Sequence, residues 1–363
     1  TTALQTAGFG VFAYQTTGDY TSTATPNFMY NTKVSTSSWT YSPIKYWPNQ
    51  IQAGNTDGQP AIAYQADKVS FFAYGPYAAA TASSGDVTGD NTKGITALTS
   101  NATAGDPKVT FKATTALDDQ VDLIWAVSNG ATWTNVAGTT NTPTNGKPYL
   151  NLQKPAIGTA IHFYFKHALA QINLKAVAAY NQTSAGGSAQ DGVKITIESV
   201  ELTVPGMYDQ GVLNLNNTYA NTPLWESTTG SSDFALTVSG SNINADLLDG
   251  GAKTAATQPT GVTASEQDVI VDGKYFTVIP TATSTTVTVK VTYYVTTDDA
   301  DLKDGYSRVE NVISKDVTFA SGFAAGTKNT IKMILGISEV KFDAEVTDWT
   351  DGASQTVDLP KNV

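Results

Sequence analysis

Thr285–Val295, with the sequence TTVTVKVTYYV, has the clearest structural pattern in this chain. From Val287 onward the odd-numbered positions are apolar, while Thr288, Lys290 and Thr292 between them are polar. Successive side chains of a strand point to opposite faces, so one face of this stretch would contact a core and the other would contact water. The many β-branched residues also suit a pleated surface. The stretch therefore predicts a central strand of an antiparallel sandwich or barrel.

The same alternation recurs along the chain and indicates a mostly β protein. It appears in four further segments, at Val69, Phe71 and Ala73, at Ile161, Phe163 and Phe165, at Ile331, Met333, Leu335 and Ile337, and at Val340, Phe342, Ala344 and Val346. A chain of 363 residues fits two domains of about 150 residues each. We therefore predict an all-β protein with two tandem antiparallel β-sandwich domains, residues 1–160 and 161–363.

Three local patterns give more specific expectations. The segment 167–181 is rich enough in alanine for a helix, but its residues also alternate as in a strand, and we favour the strand because no stop signal precedes it. The apolar alternation changes phase between Ile197 and Val200, which predicts a β-bulge. Lys274–Pro280 is expected to pair with the central strand at Thr285–Val295.

An aromatic segment, WTYSPIKYWPN at residues 39–49, lies between two strand patterns. Pro43 and Pro48 lack a backbone donor, so we expect an edge strand or a strand that leaves its sheet. Large aromatic side chains are most often buried. We therefore expect this cluster to close one end of a core, with a sugar-stacking platform as the alternative: Trp39, Tyr41, Tyr46 and Trp47.

Composition excludes several classes of function. The net charge is -11 and Arg308 is the only arginine, which argues against binding to a nucleic-acid backbone. The absence of cysteine excludes disulfides, thiol chemistry and Cys-based zinc sites. No apolar run reaches the roughly 18 residues of a membrane helix. Because folded-looking sequence begins directly at Thr1, we expect that any targeting segment has been removed.

Candidate catalytic and metal-binding residues are few. The two histidines, His162 and His167, are separated by an odd number of residues, so an extended strand would point them to opposite faces. No G-x-S-x-G nucleophile elbow is present. The acidic loop DDADLKDG at residues 298–305 has its glycine at the wrong offset for a calcium loop, and its aspartates suit a turn. We predict a protein that is not an enzyme and that uses neither a cofactor nor a metal.

An ordered set of segments resembles the fimbrillin or Mfa-like proteins of Bacteroidetes, over nearly the whole chain from Phe9 to Trp349. The segments are KYWP at 45–48, KVSFFAYGPY at 68–77, FKHALAQINL at 165–174, ESVELTVPGMYDQGVLNL at 198–215, and AGTKNTIKMILGISEVKFDAEVTDW at 325–349. None of these segments is a catalytic fingerprint by itself. The specificity of the resemblance comes from the order in which the segments follow one another along the chain.

The resemblance implies a structural or adhesive subunit of a type V pilus, or fimbrium, built from two transthyretin-like β-sandwiches. It also implies export as a lipoprotein precursor to the outer membrane, proteolytic trimming of the N-terminus, and strand exchange with other pilus subunits. Membrane contact would come only through the lipid anchor of the precursor, and host or bacterial surface receptors would be further partners. Trimming would open a groove that a donated strand fills, because an incomplete sandwich leaves backbone groups and apolar surface uncovered.

The residues that we expect to take part in assembly are Val340, Phe342, Ala344 and Val346, with the tail that follows them. The alternative is that these four residues form a permanent strand of their own domain. Two other classes also remain open for the whole protein. One is a surface glycan-binding lipoprotein that uses exposed aromatics, including Trp133. The other is a Gram-positive adhesin, although the terminal sequence DLPKNV lacks the threonine and glycine of a sorting motif.

Overall fold

The computed structural model shows a protein whose regular structure is almost entirely β-strand. It describes residues 2–48, 68–89, 94–135, 140–155, 160–179, 193–219, 225–230, 233–245, 247, 267–281, 283–336 and 340–348. The one α-helix in these ranges, α1 (Thr2–Ala7), is six residues long, so no helix there could span a membrane. The prediction of an all-β fold is confirmed.

The chain forms two compact units, and it passes between them several times. Unit 1 contains Thr1–Lys112, Val121–Ala168 and Gln210–Thr229, and unit 2 contains Ala113–Gln120, Leu169–Asp209 and Gly230–Val363. One crossing, at residues 168 and 169, lies near the sequence-predicted junction at 160. The segment 210–229 then returns to unit 1, which sequence patterns did not indicate. The division into two independent transthyretin-like domains stays a prediction.

Twelve strands among the described residues belong to unit 1. They are β1 (Phe9–Thr16), β2 (Met29–Val34), β3 (Lys68–Gly75), β4 (Ile95–Leu98), β5 (Lys108–Lys112), β6 (Ile124–Val127), β7 (Trp133–Thr134), β8 (Thr140–Asn141), β9 (Tyr149–Leu152), β10 (Tyr164–His167), β13 (Gln210–Asn214) and β14 (Trp225–Thr229). One sheet has the order β10-β6-β3-β1-β2, with β9 also paired to β3, and a second has the order β14-β13-β5-β4. Strands β7 and β8 form a small separate pair.

The two central strands of the larger sheet of unit 1, β1 and β3, are buried on both faces. Along β1, the odd positions Phe9, Val11 and Ala13 are buried, and so are Phe12 and Tyr14 between them. Strand β3 shows the same pattern from Val69 to Gly75. For β3 the alternation predicted one face in contact with solvent, and that expectation is wrong because other parts of the chain cover the second face.

Unit 2 contains nine strands among the described residues. They are β11 (Ala170–Ala179), β12 (Val193–Pro205), β15 (Asp233–Ser239), β16 (Gln267–Asp268), β17 (Phe276–Val278), β18 (Thr285–Asp298), β19 (Tyr306–Phe319), β20 (Thr327–Gly336) and β21 (Val340–Asp348). One sheet has the order β15-β12-β18-β19 and the other has the order β16-β11-β20-β21, with β17 also paired to β11. Short 3₁₀ turns occupy Leu117–Asp119 and Gly240–Asn242.

Strand β18 behaves as its sequence predicts. Val287, Val289 and Val291 are buried, while Thr288 and Lys290 on the other face are accessible to solvent. Its neighbour β12 has a register shift between Ile197 and Ser199, which confirms the predicted bulge. The strand interpretation of residues 167–181 is also confirmed over the range of β11.

Two pairings in unit 2 differ from the expectation. Strand β17, within Lys274–Pro280, pairs with β11 and not with the central strand β18, which already has β12 and β19 as neighbours. Strands β11 and β20 pair in parallel, in contrast to the antiparallel pairing of the other described strands. A parallel pair needs a long connection, and here about 150 residues of chain separate the two strands.

Candidate functional site

An apolar cavity of about 590 Å³ lies in unit 1, on the face of the larger sheet that carries the odd positions of β1. Phe9 and Val11 of β1, Met29 and Val34 of β2, and Phe71 of β3 form its floor. Since β2 is the last strand of that sheet among the described residues, the cavity lies beside a sheet edge.

The helix α1 and two segments without regular structure form most of the remaining walls of the cavity. Leu4 of α1, residues in the segment 38–47 after β2, and residues 160–163 before β10 contribute to them. Phe163 packs edge-on against Phe9 with ring centroids 5.8 Å apart, and Phe165 does so at 5.2 Å. The expected strand IHFYF is therefore irregular at its start and becomes strand only from Tyr164.

The aromatic segment 39–47 divides between the cavity and solvent. Trp39, Tyr41 and Trp47 line the cavity, and the ring of Trp47 lies 5.6 Å from that of Phe71. Tyr46 points away and is 82% exposed. Packing of three of these residues against the core agrees with the predicted core plug, but the segment forms no strand in residues 41–48. Trp39 remains 37% exposed at the rim.

Few polar groups face this cavity. Ser38, Lys45 and His162 are the polar side chains in its lining. Such a surface is suited to apolar side chains and offers no arrangement of acids and bases for catalysis. The Tyr149 hydroxyl beneath it donates a hydrogen bond of 2.6 Å to the His162 carbonyl, and burial raises the pKa of Tyr149.

The two histidines have separate surroundings. The His162 ring lies 4.7 Å from the ring of Tyr164. His167 Nδ1 lies 2.7 Å from a carboxylate oxygen of Asp122, which precedes β6 in the chain. Within the described residues no group of three or more His, Asp or Glu side chains could hold a metal ion.

The acidic loop after β18 is a turn that its own aspartate stabilises. The Asp299 carboxylate accepts a hydrogen bond of 3.0 Å from the Asp301 backbone N–H, and the Asp299 N–H donates to the Gly305 carbonyl. Gly305 adopts a positive φ of 73°, a conformation that favours glycine. This local hydrogen bonding is what the sequence predicts for aspartates in a turn.

The expected assembly strand is β21, which pairs antiparallel with β20 from Val340 to Asp348. Ala344 is buried, with 1% of its surface exposed. The side chains of Val340, Phe342 and Val346 lie outside the described residues, as do Trp349 and the tail. The backbone pairing fits the alternative of a permanent strand, and the role in assembly stays a prediction.

Sequence patterns did not indicate the cavity itself. Its lining combines Phe9, Met29 and Phe71, which lie on three strands, with Phe163 from an irregular segment. The available signal was the odd-numbered spacing of Phe9, Val11 and Ala13. That spacing gives the buried face of one strand but not which distant segments cover it.

Comparison with known proteins gives the family. The chain is 26% identical over 382 aligned residues to the fimbrium subunit Fim1C of Phocaeicola vulgatus, an alignment that covers 98% of this chain and 85% of that protein. Its fold is similar to the crystal structure of a fimbrial protein from Bacteroides vulgatus, with a TM-score of 0.64 and 22% identity over 96% of this chain and 95% of the other. A fimbrillin-like family model matches residues 1–349, so the chain belongs to the fimbrillin-like family.

Proposed function

We propose that this protein is a structural subunit of a cell-surface pilus, and that subunits join by donation of a β-strand after proteolytic trimming of a lipid-anchored precursor. Membership of the fimbrillin-like family makes the chain a structural protein of fimbriae and not an enzyme. Its location is accordingly the pilus at the cell surface. Strand donation, trimming and attachment to the outer membrane are the parts that we propose.

The cavity of unit 1 is the observation that carries this proposal. It combines an apolar floor with an edge strand, β2, which contributes Met29 and Val34 to the lining. A strand added beside β2 would satisfy backbone groups at that edge and place alternate side chains in the cavity. At about 25 cal/mol per Å² of buried apolar surface, several inserted side chains would give a stable joint.

The C-terminal region of the next subunit, residues 340–363, is our candidate for the donated segment. Because β21 already pairs with β20, the part available for donation is the tail from residue 349 onward. In the tail, Val357 and Leu359 are apolar at alternate positions with the polar Asp358 between them, and Ala353 lies in the same phase, although Gln355 interrupts it. Val340, Phe342, Ala344 and Val346 would then anchor the tail to its own subunit.

The test uses the protease-treated precursor and follows polymer ladders on denaturing gels and filaments by electron microscopy. The double variant V357D/L359D places charges on the apolar face of the tail, so we expect its ladders to be lost. The matched control S354A/T356A changes the polar face, and we expect it to polymerise as the wild type does. Unchanged ladders in V357D/L359D would refute donation by the tail.

A second candidate function is glycan binding, which the exposed aromatic side chains favour. Tyr46 is 82% exposed, and Trp39 is 37% exposed at the cavity rim. Sugar rings stack on such surfaces. If this function is correct, Tyr46→Ala and Trp39→Ala lower the affinity for a cell-surface polysaccharide measured by calorimetry. A control, Tyr208→Ala, removes an exposed tyrosine elsewhere and should have no effect.

A further inference from the structure

Strand β19 is the last strand of its sheet among the described residues, and β21 of the other sheet of unit 2 passes close to part of it. Among the described residues its only strand neighbour is β18, with which it pairs continuously from Tyr306 to Phe319. Every second backbone N–H and C=O group of β19 therefore points away from β18. A straight row of such groups can pair with another strand.

The side chains of this edge are also accessible, on both faces. From Tyr306 to Asp316 each residue of β19 is exposed or half-buried. Val309 lies opposite Val295 on the inner face and is 56% exposed, whereas Val312 lies opposite Thr292 on the outer face and is 53% exposed. Protected edge strands avoid exposed apolar residues of this kind, since they favour pairing with another chain.

The outer face of β19 carries three charged residues, Arg308, Glu310 and Asp316, and contacts with β18 order Arg308 and Asp316. The Arg308 guanidinium lies over the Tyr294 ring at 3.6 Å from the ring centroid. A stacked guanidinium keeps the N–H groups in its plane available for a carboxylate. The Asp316 carboxylate accepts a hydrogen bond of 2.7 Å from the Thr288 hydroxyl, and a carboxylate has room for further donors.

We propose that this edge pairs with the same edge of a second copy of the chain, antiparallel and centred on Val312. A two-fold axis perpendicular to the sheet keeps inner faces with inner faces, so residues equally far before and after the centre face each other. Centring on Val312 places Arg308 opposite Asp316 of the second copy, twice per dimer. The two Val312 side chains then meet at the axis and are removed from water.

Four neighbouring registers fit less well. Centring on Asn311 avoids like charges but places Arg308 opposite Ser314 and Glu310 opposite Val312, so no ion pair forms. Centring on Glu310 places the two Glu310 carboxylates opposite each other, and centring on Ile313 places Glu310 opposite Asp316. Like charges directly opposite each other are destabilising. Centring on Val309 pairs Arg308 with Glu310, but it joins only residues 306–312. The register on Val312 joins residues 306–318 and has no like-charged pair.

Lys315 is the inward-pointing charge of this strand, a feature that protects edge strands from pairing. It lies on the inner face opposite Val289. In the proposed register Lys315 faces Val309 of the second copy. The methylene stem of a lysine can cover an apolar surface while its ammonium group stays in water. The exposed Val309 side chain would be covered in this way.

A cysteine cross-link tests the register directly, because the chain has no cysteine of its own. In Val312→Cys the two thiols face each other across the axis, within reach of a disulfide. In the control Glu310→Cys, on the same exposed face, the two thiols are separated by four residues, about 13 Å, which is too far. We expect a covalent dimer of the full chain from Val312→Cys under mild oxidation and only background from Glu310→Cys.

Charge reversal tests the same contact without a cross-link. The variant R308D has two facing aspartates and the variant D316R has two facing arginines, so each alone should weaken the dimer in sedimentation equilibrium by roughly tenfold or more in Kd. In an equal mixture, a dimer of one variant with the other joins an aspartate with an arginine at both contacts, so the mixture should dimerise again. Circular dichroism checks that each variant is folded.

The proposal is overturned by any one of three results. These are equal cross-linking of Val312→Cys and Glu310→Cys, a dimer that R308D leaves unchanged, or a mixture of the two charge variants that stays monomeric. The proposal does not rest on strand donation. When Val312→Cys is added to V357D/L359D, the disulfide-linked dimer should still form, so the failure of one proposal is separable from that of the other.

Discussion

At the scale of single residues, Asn31 is a position in unit 1 that both backbone conformation and hydrogen bonding constrain. It is buried and has a positive φ of 41°, a conformation that asparagine tolerates better than most residues. Its side-chain amide donates to the Ala78 carbonyl at 2.8 Å, and its side-chain oxygen accepts from the Tyr74 hydroxyl at 2.8 Å. The same hydroxyl accepts the Ala78 N–H at 3.2 Å. A single tyrosine oxygen thus joins β2 to the turn after β3.

Replacing Tyr74 by phenylalanine should destabilise the protein. The change leaves the Asn31 side-chain oxygen and the Ala78 N–H buried without this partner, at a cost of about 1–3 kcal/mol. Urea unfolding measures the loss. In the control, Tyr46→Phe removes a hydroxyl from an exposed ring and should change stability by less than about 0.5 kcal/mol. Equal stabilities for the two variants would contradict this account of the hydrogen bonds.

Buried tyrosines predict a loss of stability in alkali. Burial, and secondly the Asp106 carboxylate, raises the pKa of the Tyr14 and Tyr20 hydroxyls, and burial raises that of Tyr74. In the unfolded chain these groups lose their protons near pH 10. The unfolded state therefore binds fewer protons than the folded state above that pH, and the free energy of unfolding falls as pH rises from about 10.

Tyrosinate absorbance followed together with circular dichroism checks this prediction. Exposed tyrosines should ionise first without loss of structure, and the buried ones should ionise only when the strands unfold. In Tyr14→Phe one buried hydroxyl is absent, so the alkaline transition should involve fewer late-ionising groups. If all the tyrosines ionise in one step while the protein stays folded, the burial argument is wrong.

At the scale of elements, sequence patterns predicted where strands lie more reliably than they predicted which strands pair with each other. Strand β18 and the bulge in β12 followed from alternation and its change of phase, because both depend on neighbouring residues. The pairing of β17 with β11, and the parallel pairing of β11 with β20, could not be read in this way. Each joins segments that lie roughly a hundred or more residues apart, and nothing in a local pattern specifies a distant partner.

Strand β18 offers the sharpest test of the alternation. Val289 is fully buried, so Val289→Ala should lower the free energy of unfolding by about 2–3 kcal/mol through lost burial and the cavity left behind. Lys290, the next residue, is on the wet face and forms an ion pair of 3.2 Å with Glu201. Lys290→Ala should cost no more than about 1 kcal/mol. A larger loss for Lys290→Ala than for Val289→Ala in urea unfolding would reverse the assignment of faces.

At the scale of the whole molecule, unit 1 is assembled from segments that are far apart in sequence. Its second sheet contains β4 and β5 from the first third of the chain and β13 and β14 from residues 210–229. Strand β13 pairs with β5 over five positions, from Gln210 with Lys112 to Asn214 with Lys108. The buried Trp225 of β14 donates from its indole nitrogen to the Ala168 carbonyl at 3.0 Å.

A fragment of residues 1–160, the first domain expected from sequence, should therefore not fold cooperatively. Without β13 and β14, the β5 edge and the buried residues Val109 and Phe111 would be exposed, and β10 would be missing from the larger sheet. Thermal unfolding followed by circular dichroism measures this, with the whole chain as the control. A sharp transition in the fragment would show that residues 210–229 are not needed for unit 1.

The sequence was sufficient for what depends on near neighbours and on composition. Alternation at Thr285–Val295 and in the related segments predicted an all-β protein, because it depends only on neighbouring residues. The single arginine argued against nucleic-acid binding, and the absence of cysteine excluded disulfides, thiol chemistry and Cys-based zinc sites, because composition does not depend on which segments meet. The three-dimensional fold was needed to bring Phe9, Phe71, Trp47 and Phe163 around one cavity. It was also needed to place β19 at the end of its sheet, with β18 as its strand neighbour among the described residues. Those features depend on which segments meet, and that is set by the packing of the whole chain and not by any one stretch of it.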